Sequence, residues 1–336
     1  MVFRSETEFV GWLKRLTPRR PSGVRLGIGD DAAVVVLRPG NDLILKTDLS
    51  VEGVHFLRQL HPPRAVGHRA LARSLSDIAA MGGTPRYALI SLAVSRSTSR
   101  AWLNEFYAGI LALARRHAVT IVGGDTDVIP DKTFVDVMIA GEIERGKMIR
   151  RSGAHPGDQV FVSGRLGLSA LGLHRLKAKG SARGPRRGLD SAVRSHLYPE
   201  PRLRLGRYLS ENHLASALID VSDGLSTDLA HLCDSSGVGA TVWAERLPMP
   251  DDLTARERRT LSPLKLALHG GEDYELLFTV PKRNISWLRN TVYGVPVHRI
   301  GEIRGAKGVS LVTADGHEVS LEPRGYDHFR KYKYSG

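Results

Sequence analysis

The sequence predicts an α/β (α+β) fold in two domains, and three observations carry that expectation. Strand-like apolar runs alternate with runs of helical period, and glycines and carboxylates gather where the runs end. A polar stretch rich in glycine and basic residues, GKMIRRSGAHPGD, then interrupts the pattern at residues 146–158. The break sets the domains at 1–148 and 149–336. At 336 residues, 42% of them hydrophobic and 25% charged, the chain is long enough for two cores.

Taken in order, GVRLGIGDDAAVV at 23–35 is a short strand that ends on two glycines and two adjacent aspartates, Asp30 and Asp31. LILKTDL at 43–49 reads as a strand running into a polar end. Residues 62–81 keep apolar positions at helical spacing, with proline early and glycine just past the end, so they form a helix. YALISLAV is a strand, RAWLNEFYAGILALARRHA a helix, VTIVGGDT a strand ending in a turn, and TFVDVMIAGEIE another strand. The second half resumes with QVFVSGRLGLSALGLHRL, a strand passing through a glycine turn into a helix. KAKGSARGPRRGLDSAV is too rich in glycine and basic residues for a core and reads as an exposed loop. ALIDVSDGLSTDLAHLCDSSG is a strand, a turn and a helix, followed by YELLFTVP and GVSLVTADGHEVSL.

Composition excludes several classes. Cys233 is the single cysteine, so neither a disulfide framework nor a cysteine-based zinc site exists, and a cytoplasmic setting fits. No apolar run approaches the roughly 18 residues of a membrane helix, and the first residues lack the apolar core of a signal peptide. The formal charge of +13 raises the prospect of a nucleic-acid partner. However, aromatic residues are only 6% and do not interleave with the basic clusters, so no stacking strip forms and no nucleic-acid role is expected.

Carboxylates recur at strand ends and beside helices: Asp30 and Asp31, Asp48, Asp77, Asp125 and Asp127, Asp220 and Asp223. Any one of them can be a turn or cap residue. Their recurrence, without convergent cysteine or histidine, favours a hard cation, magnesium, held partly through phosphates. Asp77 stands out because it lies in a largely apolar helix, where an unpaired carboxylate is costly. There is no GxxxxGK[ST] loop and no protein-kinase string set, so a nucleotide enzyme outside those classes is indicated. The amides of Gly123 and Gly124 can meet phosphate while Asp125 meets the cation. Arg151 can hold phosphate bidentately, with Arg150 an equal claimant. His55 is either a contact to an organic phosphate or a packing residue, and Tyr107 is first of all a core residue. Glu272 can orient a polar ligand and Tyr326 can stack on a flat ring.

The segments GIGDDAAVV, KTDLSVEGVHF, LARSLSDIAAMGGTP, IVGGDT, RSGAHPGD, IDVSDGLSTDL, GGEDYELLFTVP and GYDHF occur in one order along the chain. Together they resemble the thiamine-monophosphate kinases, within the aminoimidazole ribonucleotide synthetase-like superfamily. The resemblance implies a two-domain architecture, with a mixed-sheet N-terminal domain that pairs with its copy in a homodimer and a larger α/β C-terminal domain. It also implies magnesium-dependent transfer of the ATP γ-phosphoryl group to thiamine phosphate, and leaves a potassium requirement open. Carried over, Asp30, Asp48, Asp77, Asp125, Asp220 and Asp223 become the carboxylates of a site for several magnesium ions, with Thr47 as an additional oxygen ligand. Tyr107, Gly124, Arg151 and Ser222 become ATP contacts, and His55, Glu272 and Tyr326 contacts to thiamine phosphate. Asp77, Asp125 and Arg151 are the residues expected to carry catalysis. A selenophosphate-forming relative would display a reactive Cys or selenocysteine near its start, and a carbamoyl-dehydrating one a cysteine-bearing tail; this chain has neither.

Overall fold

The structure is a computed structural model that describes residues 6–17, 23–26, 28, 33–179 and 188–326. Asp30, Asp31, most of the basic 177–188 segment and the last ten residues lie outside the described set. In chain order the elements are α1 (Glu6–Leu16), β1 (Val24–Leu26), β2 (Val34–Val35), β3 (Asn41–Val51), α2 (Pro63–Ala80), β4 (Thr84–Ser95), α3 (Arg100–Arg116), β5 (Thr120–Ile129) and β6 (Phe134–Glu144). They continue with β7 (Gln159–Ser163), α4 (Leu168–Lys179), α5 (Ser191–Leu197), α6 (Leu203–Glu211), β8 (Ala217–Val221), α7 (Leu225–Ser236) and β9 (Gly239–Trp243). The last are α8 (Pro263–His269), β10 (Glu275–Val280), β11 (Thr291–Val292), β12 (Val295–Arg304), β13 (Gly308–Val312) and β14 (Glu318–Ser320). No described helix is long and apolar enough to cross a membrane.

The chain divides into two compact units. The first is built on a mixed sheet of order β3-β6-β4-β5, in which only β4 and β5 run parallel. Pro63 opens α2 and Ser99 caps α3 by accepting from the Trp102 amide at 3.1 Å, as helix starts require. The two helices touch backbone to backbone at glycine: a Cβ on Gly67 would stand 2.0 Å from the Phe106 carbonyl oxygen. Ser74 fixes α2 to the sheet by donating to the Val137 carbonyl at 3.1 Å.

Two expectations change in this unit. The GGD segment is not a turn, because β5 continues through it and stays paired with β4 as far as Ser95 and Ile129. Gly124 takes φ +152°, and a Cβ there would lie 1.9 Å from the Ile90 carbonyl oxygen, so close strand approach is what the glycine permits. Nor is the second domain continuous from residue 149, since residues 174–179, 188–190 and 197–213 group with the first unit. The cause is packing: α6 lies against α2 so closely that a Cβ on Gly206 would stand 2.0 Å from the Ala79 carbonyl oxygen.

The second unit carries a larger sheet of order β14-β13-β9-β12-β7-β10-β8, with β11 on β12. All its pairings are antiparallel except β9 with β13. Strands β7, β8 and β10 are buried along their whole length, and α7 covers one face with Leu225, Leu229 and Leu232 in the core. Gly237 ends α7 in the left-handed region at φ +69°, where glycine bears no side-chain penalty.

Candidate active-site residues

Alternation along β3 sorts its polar side chains to two faces. Lys46 and Asp48 face α2, whereas Thr47 faces the other way and donates to Asp136 on β6 at 2.6 and 2.7 Å. On α2, Arg73 and Asp77 are one turn apart and meet the first pair. Arg73 donates through Nη2 and Nε to Oδ1 of Asp48 at 2.8 and 3.2 Å, and Lys46 Nζ lies 3.1 Å from Oδ2 of Asp77. Asp77 is therefore paired, and it is not fully buried: 23% of its side chain is exposed. Asp125 stands on β5, at the opposite edge of the sheet from β3, and its carboxylate accepts from the Thr126 amide at 2.8 Å. The Thr47 hydroxyl consequently does not join the Asp48 and Asp77 side chains.

His55 lies in the turn after β3, where its Nδ1 accepts from the Val51 amide at 3.0 Å. In the neutral ring this leaves the proton on Nε2. Its carbonyl accepts from Arg69 at 3.4 Å, and His55, Ser50, Arg69 and Arg73 line one small cavity. Tyr107 is fully enclosed by the rings of Phe9, Trp12 and Phe106, at 6.0, 5.3 and 5.2 Å, and burial pushes its phenol pKa well up. Its packing reading holds, because no part of the ring meets solvent.

In the second unit one turn organises the site. Strand β8 ends on buried Asp220 and Val221, residues 222–224 turn, and α7 begins. Buried Asp228, in the first turn of α7, accepts through Oδ2 from the amides of Ser222, Asp223 and Gly224 at 3.1, 3.1 and 3.0 Å. Burial and the neighbouring Asp220 and Asp223 carboxylates nevertheless raise its pKa. Two distant segments dock on the same turn. The Glu272 amide donates to the Ser222 carbonyl at 2.7 Å, and the Tyr326 amide to the Asp223 carbonyl at 3.2 Å. Gly325 permits the second approach, since a Cβ there would meet the Asp223 carbonyl oxygen at 2.1 Å. Ser222, Asp223, Glu272 and Tyr326 are thus gathered from three separate stretches of chain.

The 272–274 loop is held in a costly shape, with Glu272 at φ +65° and Tyr274 at φ +52°. Asp273 between them accepts from the Gly167 and Ser169 amides at 2.5 and 3.0 Å. Burial pushes its carboxyl up to about 8 despite those bonds. Ser169 also bonds buried His196 at 2.9 Å, and His196 lies 3.8 Å from the Glu272 carboxylate. Arg151 is exposed, and its carbonyl accepts from Ser236 at 3.2 Å.

Several of these residues escaped sequence reasoning. Arg73 stands four residues before Asp77, and Asp228 stands in the first turn of a helix, where carboxylates favour the N-terminal dipole. Both spacings were visible, although their partners were not. The donor set suits a hard divalent ion: Asp48, Asp77 and Asp125 in one unit and Asp220 and Asp223 in the other offer only carboxylate oxygen. Among the described residues, Asp223, Asp228 and His231 form a group whose ligand atoms lie within 4.8 Å of one another.

Residues 29–143 match the family AIR synthase related protein, N-terminal domain, and residues 155–313 match its C-terminal domain. Thiamine-monophosphate kinase of Bacillus subtilis (strain 168) is 38% identical over 322 residues, covering 94% of this chain and 97% of the relative. The crystal structure of thiamine-monophosphate kinase from Stenotrophomonas maltophilia K279a is similar with a TM-score of 0.79 and 32% identity, over 94% of this chain and 98% of that one. A structure of AaThiL complexed with AMPPCP and TMP is similar with a TM-score of 0.75 and 34% identity, over 98% and 99%.

Proposed function

The chain belongs to the thiamine-monophosphate kinase family, and from that premise we propose how its residues divide the work. The reaction is ATP-dependent phosphorylation of thiamine phosphate to thiamine diphosphate. The observation that supports the assignment of roles is the backbone docking of residues 272 and 326 onto the turn that holds Ser222 and Asp223, which brings together the residues proposed for acceptor and for nucleotide.

The acceptor is a phosphate monoester with a second pKa near 6, already largely dianionic at neutral pH. No base is needed to activate it; the work is to bring two anions together and steady the charge of in-line transfer. Magnesium ions, when bound, supply most of that positive charge. Asp48, Asp77 and Asp125 of the first unit and Asp220 and Asp223 of the second are the carboxylates proposed to hold them, with Asp30 as a further oxygen ligand. The Thr47 hydroxyl, turned to Asp136, does not join Asp48 and Asp77 as a ligand. Gly124 and Ser222 bind the nucleotide, and Arg151 steadies the phosphoryl group in transfer. His55 turns its Nε2 proton toward the acceptor phosphate, while Glu272 and Tyr326 orient the heterocycles. The strained backbone at Glu272 supports this role, because such geometry persists where the surroundings over-determine it.

A homodimer through the first unit is part of the proposal. Leu43, Leu45 and Leu49 alternate on the face of β3 turned away from α2 and are 44%, 59% and 49% exposed, an apolar stripe suited to burial against a second copy. A cytoplasmic location suits buried, unoxidised Cys233. Incubation with ATP, magnesium and thiamine phosphate is expected to release thiamine diphosphate and ADP in equal amounts. ADP release with the thiamine phosphate unchanged would contradict the assignment.

A further inference from the structure

Asp48 on β3 and Asp77 on α2 are each already answered by a cation of the chain. Asp48 and Arg73 are 15% and 14% exposed, so water screens their pair only weakly, whereas Lys46 beside Asp77 is 37% exposed. Nε and Nη2 of Arg73 both fall on Oδ1 of Asp48, and no described residue bonds Oδ2. Two carboxylates are thus paired with a guanidinium and an ammonium of the chain. A divalent ion approaching Asp48 therefore meets a guanidinium already in place.

Two effects of Arg73 on the metal compete. Holding a carboxylate in one orientation is typically worth ten- to hundredfold in metal affinity. A unit charge about 6 Å from a divalent ion, at an effective dielectric near 20, costs more than about a thousandfold before screening. Repulsion wins. We propose that Arg73 is the resident counter-cation of Asp48, which magnesium displaces, and that the released guanidinium then binds the phosphate monoester of the acceptor. The cavity that Arg73 lines together with His55 supplies the second half of the inference, for the same guanidinium borders the residue proposed to contact that phosphate. A guanidinium fork suits the paired oxygens of a phosphate, so the exchange trades a contact to one oxygen of Asp48 for one to two oxygens of phosphate. The inference rests on Asp48 being a magnesium ligand.

Magnesium chloride titrated calorimetrically into the full-length protein without nucleotide tests the first step, and the KM for thiamine phosphate the second. R73M is expected to tighten magnesium binding at least tenfold and to raise the acceptor KM at least tenfold, with a smaller change in kcat. R73K keeps the charge and loses the fork. It should bind magnesium like the parent yet keep a raised acceptor KM, and it also serves if the methionine variant does not fold. Magnesium affinity that is unchanged or weakened in R73M, or an acceptor KM that does not move, overturns the exchange. D48N separates the two layers: if it leaves the magnesium isotherm unaltered, the metal role of Asp48 fails and the inference with it. If D48N weakens magnesium while R73M fails to tighten it, only the role of Arg73 is lost.

Discussion

Asp77 combines an exposed edge with an ion pair, which makes its substitution informative. Losing a half-exposed pair with Lys46 costs about 1 kcal/mol or less. Asp77→Asn should therefore stay folded by thermal unfolding while its magnesium-dependent turnover falls by more than the ten- to hundredfold expected for an outer partner of a metal. Parent-like turnover would remove Asp77 from the metal site. Asp273 offers a pH test. Its folded pKa of about 8 lies above the unfolded value near 3.8, so the folded state binds the extra proton between those limits. Its contribution to stability is complete below about pH 4 and declines as pH rises toward 8, by up to about 1.4 kcal/mol per pH unit. Urea unfolding between pH 5 and 8 should show that decline in the parent and lose it in Asp273→Asn. Equal slopes in the two proteins would contradict the assignment of the proton. At this scale the carboxylates were legible because Asp recurs at strand ends, but their cations were not, since Lys46 meets Asp77 only once a strand and a helix have packed.

Single elements were largely legible from period and punctuation. The expected helix at 62–81 is α2 at Pro63–Ala80, and the strand at 43–49 is the centre of β3. What remained hidden depends on distant partners. Glycine and aspartate favour turns locally, yet the ladder with β4 carries β5 through Gly123, Gly124 and Asp125. The membership of α6 in the first unit is likewise a matter of its contact with α2, which no local signal records. That contact yields a prediction: Gly206→Ala forces a methyl against the Ala79 carbonyl and should cost about 1–3 kcal/mol, read as a lower urea midpoint. An unchanged midpoint would mean that α6 docks more loosely than its spacing to α2 indicates.

Over the whole molecule, each unit carries carboxylates proposed to hold magnesium, and the chain as a whole carries a net charge of +13. The surplus draws polyanions generally and does not choose among acceptors; choice belongs to the groups that read a phosphate. The dimer proposal is checked by sedimentation equilibrium at micromolar concentration, where a two-chain mass is expected for the parent and a shift toward monomer for Leu45→Asp; a parent that stays monomeric rejects it. The central claim is that phosphate is transferred onto phosphate, with charge brought by the acceptor and no base in the protein to make it. Initial rates with thiamine phosphate and with free thiamine, following ADP and every thiamine species in parallel, test it most directly. Thiamine presents an alcohol that needs a general base, a contribution of typically 10²–10⁴-fold, so its kcat/KM should lie at least about a hundredfold below that of thiamine phosphate. Equal or faster phosphorylation of free thiamine would contradict the account.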